Sequence, residues 1–133
     1  MTMPKKPTGG LRHVALFVEA YDSCKSFYTE LLNMEVVWEP DADNIYLSSG
    51  NDNLALHRAK PGFVRGKDQA LDHIGFIIDD IDEVDVWHNH LAKNQVKINM
   101  APKTHRDKAR SFYCEDPEGN HVQLIYIPGV SAN

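Results

Sequence analysis

Two stretches of the chain, LRHVALFV from Leu11 and LDHIGFII from Leu71, alternate apolar and other residues with a period of two. Val14, Leu16 and Val18 form the apolar set of the first, and Ile74, Phe76 and Ile78 that of the second. Such alternation predicts half-buried strands. After each, the period lengthens. Cys24, Phe27, Tyr28 and Leu31 recur at i, i+3, i+4 and i+7, one stripe of a helix that Asp22 or Ser23 would cap. Ile81, Val84, Trp87 and Leu91 repeat the pattern, with Asp80-Ile81-Asp82-Glu83 resembling a capping box at its start. Three short strands are expected behind each helix, near 35–38, 44–48 and 53–58, then near 96–99, 110–114 and 120–127. Turn signals separate them at Pro40 to Asn44, at Gly50 to Asn53 and at Asp116-Pro117-Glu118-Gly119, the last suiting a type I turn. The stretch Asn99 to Ala109 reads as a long loop.

The two halves are copies. At a constant offset of 60 residues, His13 falls on His73, Leu16 on Phe76, Val18 on Ile78, Phe27 on Trp87 and Leu31 on Leu91. A register held from Leu11 to Val36 implies duplication. The expected class is therefore α+β, with two tandem βαβββ modules forming a curved mixed sheet around a central cavity. The expected boundaries are a flexible tail over 1–9, a first module over 10–58, a linker over 59–70, a second module over 71–128 and a short tail over 129–133, all within one structural domain.

Alternation also assigns faces. If the apolar residues of the opening strands pack under the helices, His13, Ala15 and Phe17 share the opposite face, as do His73, Gly75 and Ile77. On the closing strands, Leu54, Leu56, Val122, Leu124 and Tyr126 face the helices. Asn53, Ala55 and His57, and likewise His121, Gln123 and Ile125, face away. Sheets that curve together would bring His13 and His73 toward one hollow with Gln123 nearby. Imidazole nitrogen and amide oxygen both suit a divalent transition metal. Gln123 is either the third ligand or an ordinary pocket amide. His57 is either a base, a fourth ligand or a strand-end histidine reaching solvent.

Composition narrows the partners. The formal net charge of −5 argues against a non-specific nucleic-acid binder. No apolar run approaches the ~18 residues that span a bilayer. The start of the chain has no hydrophobic core of a secretory signal, so a cytoplasmic protein is expected. Cys24 and Cys114 are expected as buried thiols rather than a disulfide.

The paired modules, the HVALFV and HIGFII strands and EDPEGNHVQLI near the C-terminus resemble the vicinal oxygen chelate superfamily. That group includes glyoxalase I, the fosfomycin and bleomycin resistance proteins, methylmalonyl-CoA epimerase and the extradiol dioxygenases. The resemblance covers residues 10–128 approximately. It implies metal ligands at the positions of His13, Ala55, His73 and Gln123. Ala55 cannot ligate, and Gln123 stands where many relatives carry Glu, so a four-ligand cage with a carboxylate base is not expected. A neutral ligand set leaves the full charge on the metal, weakening its binding and sharpening its acidity.

What the resemblance implies is a metalloenzyme of lyase, isomerase or dioxygenase type. One divalent ion (Zn, Fe, Mn, Ni or Co) would chelate neighbouring oxygens of a small substrate and stabilise an enolate-like or alkoxide charge. His57 is the candidate base, and His121, Phe17 and Arg110 are candidate substrate contacts. Lys97, Lys103, Arg106, Lys108 and Arg110 either grip an anionic substrate or form a solvated loop. The alternative is a metal-independent protein that sequesters an aromatic ligand, as bleomycin resistance proteins do. Many relatives are homodimers, and one is expected here.

Overall fold

The computed structural model describes residues 3–132 and divides into two units, with the division between Phe63 and Val64. In the first unit β1 (His13–Val18) leads into α1 (Tyr21–Ser26), followed by β2 (Glu35–Asp41), β3 (Asn44–Ser48) and β4 (Asn53–Arg58). In the second, β5 (Ile74–Ile77) precedes α2 (Glu83–Lys93), then β6 (Ile98–Thr104), β7 (Arg110–Glu115) and β8 (His121–Tyr126). Each unit holds one four-stranded mixed sheet, ordered β1-β4-β3-β2 and β5-β8-β7-β6. In both, the first and last strands run parallel and the remaining pairs antiparallel. The duplication seen in the sequence is thus repeated in topology. Among the described residues no helix is long and apolar enough to cross a membrane.

One face of each sheet carries the hydrophobic core. Leu16 and Val18 of β1, Ile45 and Leu47 of β3, and Leu54 and Leu56 of β4 are buried, together with Cys24 of α1 and with Phe27 and Tyr28 just after it. The second core is built from Val84 and Leu91 of α2 with Phe112, Cys114, Val122 and Leu124. The two cysteines are free and fully buried, and burial first, then Asp116 and Glu115, pushes the Cys114 thiol up to about 12. Such a thiol is unreactive at neutral pH.

The first helical stripe departs from expectation at its end. Behind Ser26 the chain widens into a π-type turn, Phe27–Leu31, in which the Leu32 amide donates to the Phe27 carbonyl at 3.1 Å. A bond reaching five residues back adds one residue to the turn, which advances the inward position by one. Leu32 is buried and Leu31 is half-buried. At the other end the helix begins at Tyr21 after Ala20, with no side-chain cap from Asp22 or Ser23. The second helix starts at Glu83, and Asp80 accepts from the Asp82 amide in the turn before it.

The edge strands also differ. β2 runs on through Pro40, and β6 crosses Pro102 and occupies half of the expected loop. Both are outer strands with register shifts, between Val36, Trp38 and Asp41 and between Ile98, Met100 and Lys103. A proline is tolerated where its missing N–H falls at an edge or a bulge. The expected type I turn is present: the Gly119 amide donates to the Asp116 carbonyl, and the buried Asp116 carboxylate accepts from the amides of Glu118 and Asn120.

Replacing Leu32 by Ala should cost about 2–3 kcal/mol, the usual cost of a cavity under a helix, whereas Leu31→Ala should cost less than about 1 kcal/mol. Urea denaturation of the two variants checks the order, and a larger loss for Leu31→Ala would contradict the π-type turn.

Candidate functional site

Strand register assembles the face of each sheet that no helix covers. In the first unit His13 pairs with Asn53, Ala15 with Ala55 and Phe17 with His57. The next strand sets Tyr46 beside Ala55 and Asn44 beside His57, and Trp38 lies beside Tyr46. The open face is therefore a small grid with His13 near one end and His57 near the other. Ala55 is fully buried and has no side-chain donor atom.

Both histidines are oriented by an amide. His13 Nδ1 lies 2.8 Å from Asn53 Oδ1, and His57 Nδ1 lies 2.6 Å from Asn44 Oδ1. An amide oxygen only accepts, so each Nδ1 carries a proton, and in the neutral ring Nε2 is the lone-pair nitrogen. His57 also sits in a run of rings. Trp38 stacks on Tyr46 at 5.0 Å, Tyr46 meets His57 edge-on at 6.0 Å, and Phe17 lies 5.9 Å from His57 and 6.2 Å from Phe63. Of these rings, Trp38 and Phe17 are 59% and 62% exposed.

The second unit repeats the plan with different chemistry. His73 immediately precedes β5, where Ile74 pairs with Val122 and Gly75 with Gln123. Its Nδ1 lies 2.6 Å from Asp72 Oδ2, which again leaves Nε2 as the lone-pair nitrogen when the ring is neutral. Tyr113, directly opposite Gln123, meets the His73 ring edge-on at 5.2 Å. Gln123 is buried, and its Nε2 donates to Ser111 Oγ at 3.1 Å. His121 is exposed opposite Glu115. Burial pushes the Glu115 carboxyl up, but hydrogen bonds from Lys97 and Asn99 outweigh it and hold it below its ordinary value.

A cavity of about 420 Å³ lies in this unit among Arg65, Lys67, Asp72, Gly119 and His121. The Arg65 guanidinium donates to the carbonyls of Glu118 and Gly119, tying the segment before β5 to the β7–β8 turn.

His13, Phe17 and His57 thus share one open face in the first unit. In the second, His73, His121 and Gln123 belong to the corresponding side. Arg110 differs from expectation. It alternates in phase with Phe112 and Cys114, on the helix side, where its Nε and Nη2 donate to Asp85 of α2 at 2.9 and 2.8 Å. Its Nη1 donates to Thr104 Oγ1. A guanidinium held by both oxygens of one carboxylate is a strut between helix and sheet. The parity of the strand already carried that signal.

By donor chemistry, taken unit by unit, the residues suit a divalent cation. His13 and His73 present Nε2, the second nitrogen being fixed on an oxygen, as metal-bound imidazoles usually are. Among the described residues no three side chains drawn from His, Cys, Asp and Glu form a cage of their own. Asn53, Asn44 and Asp72, the orienting partners, were not singled out in the sequence. Asn44 and Asn53 become visible only once the register is known.

Residues 10–124 match the model of the Glyoxalase/Bleomycin resistance protein/Dioxygenase superfamily, and the chain belongs to that family. It is similar to 1,2-dihydroxynaphthalene dioxygenase of Sphingobium xenophagum, 24% identical over 126 residues. That match covers 92% of this chain but 41% of the relative, so the chain spans about two-fifths of the relative's length. Among solved structures, it is similar to lactoylglutathione lyase from Agrobacterium tumefaciens (22% identity, TM-score 0.74, 91% of this chain and 96% of that one). It is also similar to a glyoxalase/bleomycin resistance protein/dioxygenase from Alicyclobacillus acidocaldarius (18% identity, TM-score 0.71, 90% and 92%). At these identities the likeness establishes the fold.

The Asp85–Arg110 strut has a testable pH dependence. The Arg110 hydrogen bond holds the Asp85 carboxyl below its ordinary value of 3.8. A depressed folded pKa stabilises the native state above the unfolded value, and that stability is lost as pH falls through the folded one. The pair is partly exposed and screened, so Arg110→Ala should cost about 1 kcal/mol at pH 7. The difference from wild type should shrink once Asp85 is protonated. Urea titrations at neutral and strongly acidic pH check this, and a gap that widens on acidification would contradict it.

Proposed function

We propose that this chain supplies His13, His73 and Gln123 as ligands to divalent metal and acts on a small oxygenated substrate. The observation that carries the reading is the shared orientation of the two repeat-related histidines, each with Nδ1 on an oxygen and Nε2 left to donate. A bound ion would supply Lewis acidity toward two neighbouring substrate oxygens and stabilise negative charge developing there. The protein's own residues would do the rest. Neutral His57, with Nδ1–H on Asn44, would take a proton at Nε2, and the Asn44 oxygen would steady the imidazolium so formed. Phe17 and Tyr46 flank that ring and would exclude water from it.

The neutral Gln123 distinguishes this set from one closed by a carboxylate. It adds no charge to the ligand sphere, so affinity should be modest and the ion's pull on substrate oxygens strong. Elemental analysis of purified protein, after loading with Zn, Mn, Ni, Co or Fe(II), should find one ion per chain. A His13→Ala, His73→Ala double variant should retain at least about tenfold less. Equal metal content in both proteins would end the proposal.

A second reading has its own observation, the exposed rings of Trp38 and Phe17 in the aromatic run. On that reading the chain sequesters a planar aromatic ligand without metal. Quenching of Trp38 fluorescence by a planar aromatic compound should then persist in EDTA and weaken about tenfold in Phe17→Ala. Quenching that disappears with the chelator would favour the metal-dependent reading.

A further inference from the structure

A buried carboxamide has two unlike ends, and its surroundings decide which one each neighbour meets. For Gln123 the nitrogen end is committed, since Nε2 donates to Ser111 Oγ across β7 and β8. The oxygen end lies toward β5, where Oε1 is 3.8 Å from the place a Cβ on Gly75 would occupy. Ser111 is fully buried, two residues along β7 from Tyr113, the direct partner of Gln123. Its Oγ is also 3.0 Å from Nε2 of His105, a half-buried residue in the turn beyond β6. With the hydroxyl proton directed to that nitrogen, a one-way chain runs from Gln123 through Ser111 to His105.

We infer that Ser111, held by His105, is a positioning residue that locks the Gln123 amide with its oxygen toward β5. The inference rests on the reading of Gln123 as an oxygen donor. Without the hydroxyl the buried NH₂ loses its acceptor and the amide is free to turn over. The face would then present N–H groups, which repel a cation and suit a carbonyl. Ser111 and His105 thereby set the sign of what Gln123 offers.

The test uses the full chain with Ser111→Ala and the hydroxyl-retaining Ser111→Thr. In metal-free protein the Gln123 side-chain amide signal, assigned by its loss in Gln123→Glu, is followed by ¹⁵N–¹H NMR. Its protons should exchange with solvent about tenfold faster in Ser111→Ala than in wild type and return toward wild type in Ser111→Thr. Calorimetric titration with Co(II) should show about tenfold weaker binding in Ser111→Ala, again recovered by Ser111→Thr. If Ser111→Ala does not fold, His105→Phe carries the same comparison and should change both readouts in the same direction. Unchanged amide exchange overturns the inference, as does equal Co(II) affinity in wild type and Ser111→Ala. A wild type that binds no Co(II) or Zn(II) overturns the proposed metal function instead, while the exchange rates still decide the role of Ser111.

Discussion

The parallel pairing of the first and last strands in each unit is the contact on which the chemistry depends. Side chains on neighbouring strands stand shoulder to shoulder only where the backbone ladder fixes their register. Because β1 runs beside β4 in step, His13 meets Asn53 and Phe17 meets His57. Because β5 runs beside β8, Gly75 leaves the room over which the Gln123 oxygen lies. A slip of one residue in either ladder would turn the histidines under the helices and the leucines outward. The hydrophobic cores therefore hold the polar face in register: Leu16, Leu54 and Leu56 in one unit, and Val122 and Leu124 in the other, can be buried in one phase only.

Much of this arrangement was legible in the alternation of residue types. The duplication, the bounds of β3 and β4 and the faces of β1 and β8 follow from period and parity alone. What escaped did so for identifiable reasons. Leu31 and Leu32 are indistinguishable by composition, and only the widened turn at Phe27–Leu31 selects between them. The prolines at 40 and 102 read as strand breakers because a sequence does not say which strands lie at an edge. Arg110 was drawn into a basic cluster by its neighbours in sequence, although its phase with Phe112 put it beneath the sheet. The residues that orient the histidines were out of reach for a different reason: Asn44 precedes His57 by 13 positions and Asn53 follows His13 by 40.

The two copies of the module have kept their architecture and exchanged their chemistry. At the closing strand the first copy carries Ala55 and a histidine two places on, while the second carries Gln123 with Ser111 and His105 behind it. The first copy lines its open face with rings and orients its imidazoles by neutral amides. The second orients His73 by the Asp72 carboxylate and runs a polar chain from β8 through β7 to the turn after β6. Once duplicated, a scaffold of this kind can specialise each half without altering either core.

The shifted pairings at the margins of the sheets bear on how the protein behaves in a crowded solution. β2 is exposed along its whole length and displays Val36, Val37 and Trp38, a composition that invites addition of a foreign strand. Pro40 withholds one N–H from that margin, and the irregular pairing on either side of Trp38 bends it away from a flat template. β6 carries the same device around Pro102. Interruptions that look like defects in the ladder thus act as guards against ribbon-like aggregation.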